Sequence, residues 1–381
     1  MSDANRIGKL LRPETDANES LCFFGTGALF HACFEQLVLV AGKRPDFLCD
    51  NNAEKWGRSF FGIPCVAPDD LPADHEHTKV ILCLQDFEAA SIQLRALGYN
   101  RVYLAHFNRG YHQVDSLRRI EADSIASQAT PDYVLRSLRG QWALVTGASR
   151  GIGQQIARAL ATHGLNLICH ARTDESAHKA CHSLAVDGIT ALPFAADLAN
   201  QQALDNLCVW LAKSAPPISV LYNNAGISPP CPEGFWGMTT KELSLSYAVN
   251  AIAPIRICQA VIPGMKARGF GRVVNVSSSI QCRPDEMAYA CSKAALDKFV
   301  HDLSPHLEST GVMMSLLDPG WLRTDMGGVA APQDVGSVLP GALLGALVNG
   351  NVNGRWISAQ DYNGQTLENA ARKAFFVGAC S

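Results

Sequence analysis

The side chains best suited to proton chemistry are Tyr289 and Lys293, four positions apart in Tyr289-Ala-Cys-Ser-Lys293. On a helix, residues at i and i+4 share a face, so a phenol and an ammonium can act at one point. A free phenol with a pKa near about 10 is a poor acid–base group at neutral pH. A neighbouring cation favours the phenolate, so Lys293 is expected to draw the pKa of Tyr289 down. Alone, such a pair is commonplace on helix surfaces, and its meaning depends on what precedes it. Upstream, the run 272–276 reads as a strand, and Val276-Ser277-Ser278-Ser279 at its end offers a hydroxyl to a substrate oxygen.

Further upstream, W-A-L-V-T-G-A-S-R-G-I-G runs from Trp142 to Gly153. It predicts a strand at 143–145, a tight turn, and an amphipathic helix at 154–163. Gly147, Gly151 and Gly153 stand in G-x-x-x-G-x-G spacing. Glycine suits this place because the backbone must turn sharply and let a pyrophosphate approach a helix N-terminus, where amides and dipole favour negative charge. A glycine trio alone is weak, but the flanking strand, Thr146 and the helix supply the required context.

The next strand, at 165–169, ends in His170-Ala171-Arg172, with no acid until Asp174. An acid there would bind both ribose hydroxyls and repel a 2′-phosphate. Arg172 and Arg150, two guanidiniums able to fork onto that phosphate, favour NADP(H) over NAD(H).

These groups must be positioned by a scaffold. At 381 residues the chain exceeds what one core usually fills, so two or three domains are expected. Hydrophobic residues make up 48% and charged residues 18%, a balance that excludes a disordered chain. A formal charge of −3 leaves no basic footprint, so nucleic acid is not an expected partner. The thirteen cysteines form no CxxC pair and no Cys/His cluster, which argues against a bound metal and a disulfide framework. Reduced thiols in the cytoplasm are expected. The first twenty residues lack the basic start and apolar core of a signal peptide. Residues 21–42 are the only stretch apolar enough to resemble a membrane span. Gly25, Gly27, His31, Glu35 and Gln36 argue instead for a strand followed by a helix, and no membrane partner is expected.

Strands at 21–24, 46–49, 79–84 and 101–105 alternate with helices at 28–40 and 87–97, the pattern of a parallel sheet with right-handed crossovers. The fold class expected is α/β, with two tandem Rossmann-like, doubly wound parallel sheets. The boundaries expected are a polar tail at 1–19, a small domain at 20–107, a helical connector at 108–140, and a second domain at 141–381. In the small domain, Phe30 stands where a dinucleotide fingerprint has its third glycine, which crowds helix against strand. Asp50 after the second strand is compatible with a ribose contact. Nucleotide or sugar-nucleotide binding and an architectural role both stay open for this domain. Its D-N-N-A-E-K-W-G and F-G-I-P-C-V-A-P stretches resemble small domains beside sugar-modifying and methyl-transferring enzymes.

The string Thr146-Gly-Ala-Ser-Arg-Gly-Ile-Gly153 resembles the short-chain dehydrogenase/reductase family in its short, non-epimerase subclass; the extended epimerases space their glycines differently. Ordered matches follow: Asp197-Leu198 after the third strand, Asn223-Asn224-Ala225-Gly226 after the fourth, Asn250 in a helix, Ser278, Tyr289 with Lys293, and Pro319-Gly320 after the sixth. The resemblance covers about 141–362. It implies that Thr146, Gly147, Ser149, Arg150, Gly151, Ile152 and Gly153 cradle the coenzyme. It places Asp197, with Leu198, at the adenine, and Asn223 or Asn224 with Ala225 and Gly226 along ribose and phosphates. Pro319, Gly320 and Thr324 turn the chain over the coenzyme.

The resemblance further implies a catalytic set of Ser278, Tyr289, Lys293 and Asn250. Lysine holds the nicotinamide ribose, and Asn250 supports the lysine through a bound water. The interval from Ser278 to Tyr289 is about two residues shorter than usual, so Ser279 is an alternative. Arg283, Asp285 and Glu286 in the intervening loop face either solvent or the substrate mouth. Pro229, Pro230, Phe235, Trp236 and Trp321 are candidate apolar walls or core residues, and 327–338 a candidate mobile lid. Relatives form dimers or tetramers through the helices of Asn250 and Tyr289, so a homodimer or homotetramer is expected. The expected reaction is NADP(H)-dependent reduction of a small-molecule ketone or aldehyde to an alcohol, on a sugar-derived or polyol precursor. The alternatives are a non-catalytic NADP(H)-binding sensor or scaffold, and a bifunctional chain with its own N-terminal step.

Overall fold

A computed structural model of the chain describes residues 19–84, 88–108, 113–120, 136–184, 188–231, 233–348 and 352–378. All of the polar tail expected at 1–19 except Glu19 lies outside the described residues. The chain divides near residue 130 into two compact units, each with its own seven-stranded sheet.

The N-terminal unit holds β1 (Ser20–Phe24), β2 (Phe47–Cys49), β3 (Ser59–Phe60), β4 (Ile63–Val66), β5 (Thr78–Leu82), β6 (Val102–Asn108) and β7 (Gln113–Arg119). Their order is β3-β4-β2-β1-β5-β6-β7, parallel except for β3 and β7, which are antiparallel at the two edges. Residues 21–42 form β1 and the helix Ala28–Ala41, as their polar interruptions required. Gly42 ends that helix in the left-handed region, with φ 82°.

The helical connector expected at 108–140 is corrected at Gln113–Arg119, which is a strand. Val114 and Leu117 are three apart, a helical spacing, yet both pack on the same core. The ladder explains this: Ser116 faces His106 and Val114 faces Phe107, leaving Asp115 as an extra residue. A bulge shifts the period-two alternation by one, so i and i+3 reach the same side of a strand.

The C-terminal unit holds β8 (Trp142–Val145), β9 (Asn166–Ala171), β10 (Ala191–Ala195), β11 (Ile218–Asn223), β12 (Gly271–Val276), β13 (Val312–Asp318) and β14 (Trp356–Ser358). All pair in parallel, in the order β10-β9-β8-β11-β12-β13-β14. The winding reverses between β8 and β11, and ligands of such sheets lie beyond the strand carboxyl ends at that reversal. The sheet is buried on both faces. Helix Gly151–Thr162 turns Ile156, Ala157, Leu160 and Ala161 onto one core, a clear helical stripe. Helices Gln201–Lys213 and Ala253–Ala267 cover the other face.

The helical stretch Thr240–Ala267 is also long and apolar enough to cross a membrane, contrary to the expectation that residues 21–42 stood alone in this respect. Ile257, Cys258, Val261, Ile262 and Met265 on it are buried against Leu221 and Val273 of the sheet, so its apolar side is core.

Candidate active site

The glycine turn is built for contact closer than any side chain allows. Gly147 and Gly151 have φ of 66° and 56°, a conformation that favours glycine. A Cβ at Gly153 would lie 2.2 Å from the Gly147 carbonyl, and one at Gly147 would lie 3.0 Å from the Cα of Ala225. Thr146 ties the turn to the end of β11. Its hydroxyl accepts from the amides of Asn224 at 2.9 Å and Ala225 at 3.0 Å, while Asn224 Nδ2 donates back to the Thr146 carbonyl at 2.8 Å. The first-turn amides of helix Gly151–Thr162 have no partners within the helix, so the cradle fits an anionic pyrophosphate. Ser149 is half-buried in the turn, and Ile152 packs partly on the core.

His170, at the end of β9, braces this turn. Its Nδ1 accepts from the Gly147 amide at 3.2 Å and its Nε2 donates to the Ala196 carbonyl at 3.0 Å. Burial pushes its pKa down to about 4, which keeps the ring neutral. Arg172 follows on the exposed rim. Arg150 is also exposed, and its guanidinium pairs with Asp325 at 2.8 Å. Thr324 sits above the turn, its Cγ2 3.5 Å from where a Cβ on Gly151 would be. Pro319 and Gly320 lead the chain there, with the Gly320 amide donating to Asp318 at 3.0 Å. Asp197 is exposed, and Leu198 is a core residue.

Asn223 is corrected: it does not face the cradle. Its Nδ2 donates to Asn275 Oδ1 at 2.9 Å inside the sheet, and Asn224 takes the place at the turn. Ala225 and Gly226 continue toward the second cluster. A Cβ on Gly226 would lie 3.4 Å from Asn250 Oδ1 and 3.5 Å from Lys293 Nζ.

That cluster sits at the carboxyl ends of β11 and β12. Helix Met287–Leu303 carries Tyr289 and Lys293 on one face. The Ser278 hydroxyl acts on the Tyr289 phenol and is half-buried, whereas Ser279 is exposed. Lys293 is buried, donates to the Val276 carbonyl at 2.7 Å, and lies 5.7 Å from the Tyr289 ring centroid. Asn250 is wholly buried in a π-helical turn, Ala248–Ile252, a local widening that often marks functional positions. Its Oδ1 accepts from the Ile227 amide at 2.9 Å, and its Nδ2 donates to the Ile227 carbonyl at 2.8 Å and Ser292 Oγ at 2.9 Å.

The expected lowering of the Tyr289 pKa, which rests on Lys293 and on a bound nicotinamide ring, is opposed by burial. Burial pushes the phenol up to about 12, opposed by the Ser278 hydrogen bond and reinforced by the negative charges of Asp318, Glu286 and Asp297. Burial also pushes Lys293 down to about 8, with Asp297 acting in the opposite direction. Asp297 itself is buried and accepts from the Ser277 hydroxyl. Sequence reasoning passed over Asp297, His170 and Asp325. Asp297 was the most legible of them, since it continues the face of Tyr289 and Lys293 by one more turn.

The intervening loop pairs its charges internally. Arg283 holds Asp285 through two bonds at 3.1 and 2.8 Å, and reaches Glu286 at 2.9 Å. Phe235, Trp236 and Trp321 are exposed, Trp236 by 91%, so none of the three is a core residue. Pro229 is half-buried and Pro230 exposed. The stretch 327–338 is braced by Arg323, whose Nη1 donates to the Pro332 carbonyl at 2.8 Å, and by Trp321 Nε1, which donates to the Gly327 carbonyl at 2.8 Å.

The short chain dehydrogenase family model matches residues 141–334, the stretch that carries both clusters. The chain belongs to the short-chain dehydrogenase/reductase family. That family comprises NAD(P)-dependent oxidoreductases acting on CH–OH and C=O groups. A short chain dehydrogenase of Pseudocercospora fijiensis is 32% identical over 214 residues, which is 54% of this chain and 66% of that protein. The ketoacyl reductase HetN of Nostoc sp. is 31% identical over 220 residues, 56% of this chain and 76% of that one. A solved 3-oxoacyl (acyl-carrier-protein) reductase from Agrobacterium tumefaciens, with NADP bound, matches with a TM-score of 0.53 at 28% identity. That match covers 61% of this chain and 98% of the other. N-terminal to the matched region, Asp50 is held internally. Its Oδ2 accepts from the Thr26 amide at 2.7 Å, the Thr26 hydroxyl at 2.8 Å and Lys55 at 2.8 Å, and its Oδ1 accepts from the Asn52 amide at 2.9 Å.

Proposed function

We propose that the protein reduces a ketone or aldehyde of a small molecule to an alcohol, with NADP(H) as coenzyme. The observation that carries this reading is the grouping of Tyr289 and Ser278 with the buried Lys293, which donates to the Val276 carbonyl at 2.7 Å at the end of β12. When bound, the coenzyme supplies the hydride. Ser278 orients and polarises the substrate oxygen. Tyr289, protonated at neutral pH because its pKa is near 12, gives that oxygen its proton. The Ser278 hydroxyl and the Lys293 ammonium favour the phenolate left behind. Asn250 fixes the Ile227 backbone and, through Ser292, the helix of Tyr289 and Lys293. Thr146, Asn224 and the three glycines hold the pyrophosphate cradle.

Arg150 and Arg172 are the proposed 2′-phosphate ligands, and the NADP in the solved relative supports that choice. A sugar-derived or polyol substrate and a β-keto acyl substrate, the latter after the names of the relatives, are the first classes to assay. Self-association is proposed along Thr240–Ala267, where Tyr247 and Ile252 are exposed on a largely buried helix; sizing the protein in solution tests it. The twelve described cysteines are all free, which suits the proposed reducing, cytoplasmic setting. Steady-state turnover of a carbonyl panel with NADPH and with NADH tests the whole reading. Turnover with a marked NADPH preference supports it. Tight coenzyme binding without turnover on any substrate favours the sensor alternative.

A further inference from the structure

Three side chains of helix Met287–Leu303 engage three consecutive residues at the end of β12. Tyr289 neighbours the Ser278 hydroxyl, Lys293 holds the Val276 carbonyl, and Asp297 holds the Ser277 hydroxyl. Positions 289, 293 and 297 recur every fourth residue and share one helix face. Asp297 is 2% exposed and Lys293 3%, so both charges are out of water. A buried carboxylate is costly unless a cation and hydrogen bonds match it. Here both are present within one helical turn.

We propose that Asp297 is a positioning residue: through Ser277 it fixes the strand end that carries Ser278, and it supplies the counter-charge of Lys293. This rests on the reading of Ser278, Tyr289 and Lys293 given above. Ser277 is held on its other side by its amide, which donates to the Leu317 carbonyl at 2.8 Å. Its hydroxyl contact with Asp297 therefore sets the remaining freedom of the peptide joining Ser277 to Ser278. A displacement of about 1 Å at a reacting group costs on the order of 10²-fold in rate.

Charge around the lysine has few sources. Asp297 acts on Lys293 from its own helix, while Asp318 at the end of β13 and Glu286 in the preceding turn act on Tyr289. Asn250 and Gly226, which face Lys293 from other elements, are uncharged. Lys293 loses its proton as the pH rises through about 8. Removing the Asp297 charge lowers that value, so the alkaline fall in activity must move to lower pH.

The test is a set of pH profiles of kcat and kcat/KM with NADPH. Asp297→Asn keeps an acceptor for Ser277 and removes the charge. Its alkaline limb is expected to move down by about one pH unit, and Asp297→Glu to restore it. Ser277→Ala removes only the hydroxyl, and is expected to lower kcat by about 10- to 100-fold with the limb in place. Asp297→Ala should show both effects; if it does not fold by circular dichroism, the Asn and Ser277 variants carry the test. A limb unchanged in Asp297→Asn overturns the charge role, and full kcat in Ser277→Ala overturns the positioning role. Tyr289→Phe belongs in the same series. Full turnover there sinks the underlying catalytic reading instead, so the two failures are told apart.

Discussion

The two units place a glycine turn at the same point of the same kind of sheet and finish it differently. In the N-terminal unit, Gly25-Thr26-Gly27 is closed by Asp50 at the end of β2, which binds the Thr26 amide and hydroxyl and Lys55. Its third fingerprint position is Phe30, fully buried with its ring edge-on to Phe23 and Phe34. In the C-terminal unit the strand-end residue is His170, neutral and bound to the turn from below, and the third glycine is present. There helix and turn close to a distance at which no Cβ fits. The same topology therefore carries two differently built turns. What differs is the group bound to the turn, a carboxylate paired with Lys55 in one and a neutral imidazole in the other, and whether the backbones can meet.

The largest effect expected is chemical and confined to the second unit. Tyr289→Phe should lower kcat/KM by about 10²–10⁴-fold while the circular dichroism spectrum and melting temperature stay put. A variant with authentic turnover would remove Tyr289 from the proposed chemistry of the second unit.

The next contrast exchanges like for like. Gly153→Ala puts a Cβ 2.2 Å from the Gly147 carbonyl, and should destabilise the second unit by about 1–3 kcal/mol. NADPH affinity should fall at least about tenfold with it. Gly27→Ala meets no atom within 4 Å and should cost less than about 1 kcal/mol. Equal losses in denaturant unfolding would show that the two turns are packed alike.

Acid should separate the units as well. His170 has a folded pKa of about 4, below its unfolded value near 6.5, so between these values the unfolded chain binds the extra proton. Stability of the second unit should then fall by about 3 kcal/mol as the pH drops across that window. Asp50 is held below the ordinary carboxylate range, chiefly by Lys55 and Thr26 against the opposing effect of burial. Its contribution is present above its unfolded pKa near about 3.9 and is lost only as the pH falls through its lower folded value. His170→Gln should flatten the earlier loss; an unchanged acid profile would mean that His170 does not drive it.

The smallest effect lies at the rim. Arg150→Ala should lower the NADPH-to-NADH preference by roughly tenfold and leave kcat with NADPH nearly intact. An unchanged ratio would move the phosphate contact to Arg172.

Much of this was readable in the chain because it is local. The glycine spacing at 147, 151 and 153, the i,i+4 pair of Tyr289 and Lys293, and the alternation of apolar runs all express constraints between near neighbours. The misreading at Gln113–Arg119 shows the limit, since one bulged residue made a strand carry helical spacing. Asn223 and Asn224 are adjacent and chemically identical, and the alternation of sides along the extended chain at the end of β11 sends one into the sheet and the other to the turn. Ser278 and Ser279 differ in the same way.

The amino-acid order by itself determined where side chains had to be absent, where a phenol and an amine would share a face, and which runs would be strands. Tertiary structure alone decided which hydroxyl meets Tyr289, that Asp50 is turned inward, and that His170 stays neutral. It also decided that Asp297 lies beside Ser277. The reason is physical: solvation and hydrogen bonding depend on what burial brings together, and such partners lie far apart in the chain, 79 residues for Thr146 and Ala225 and 120 for Tyr222 and Ala342.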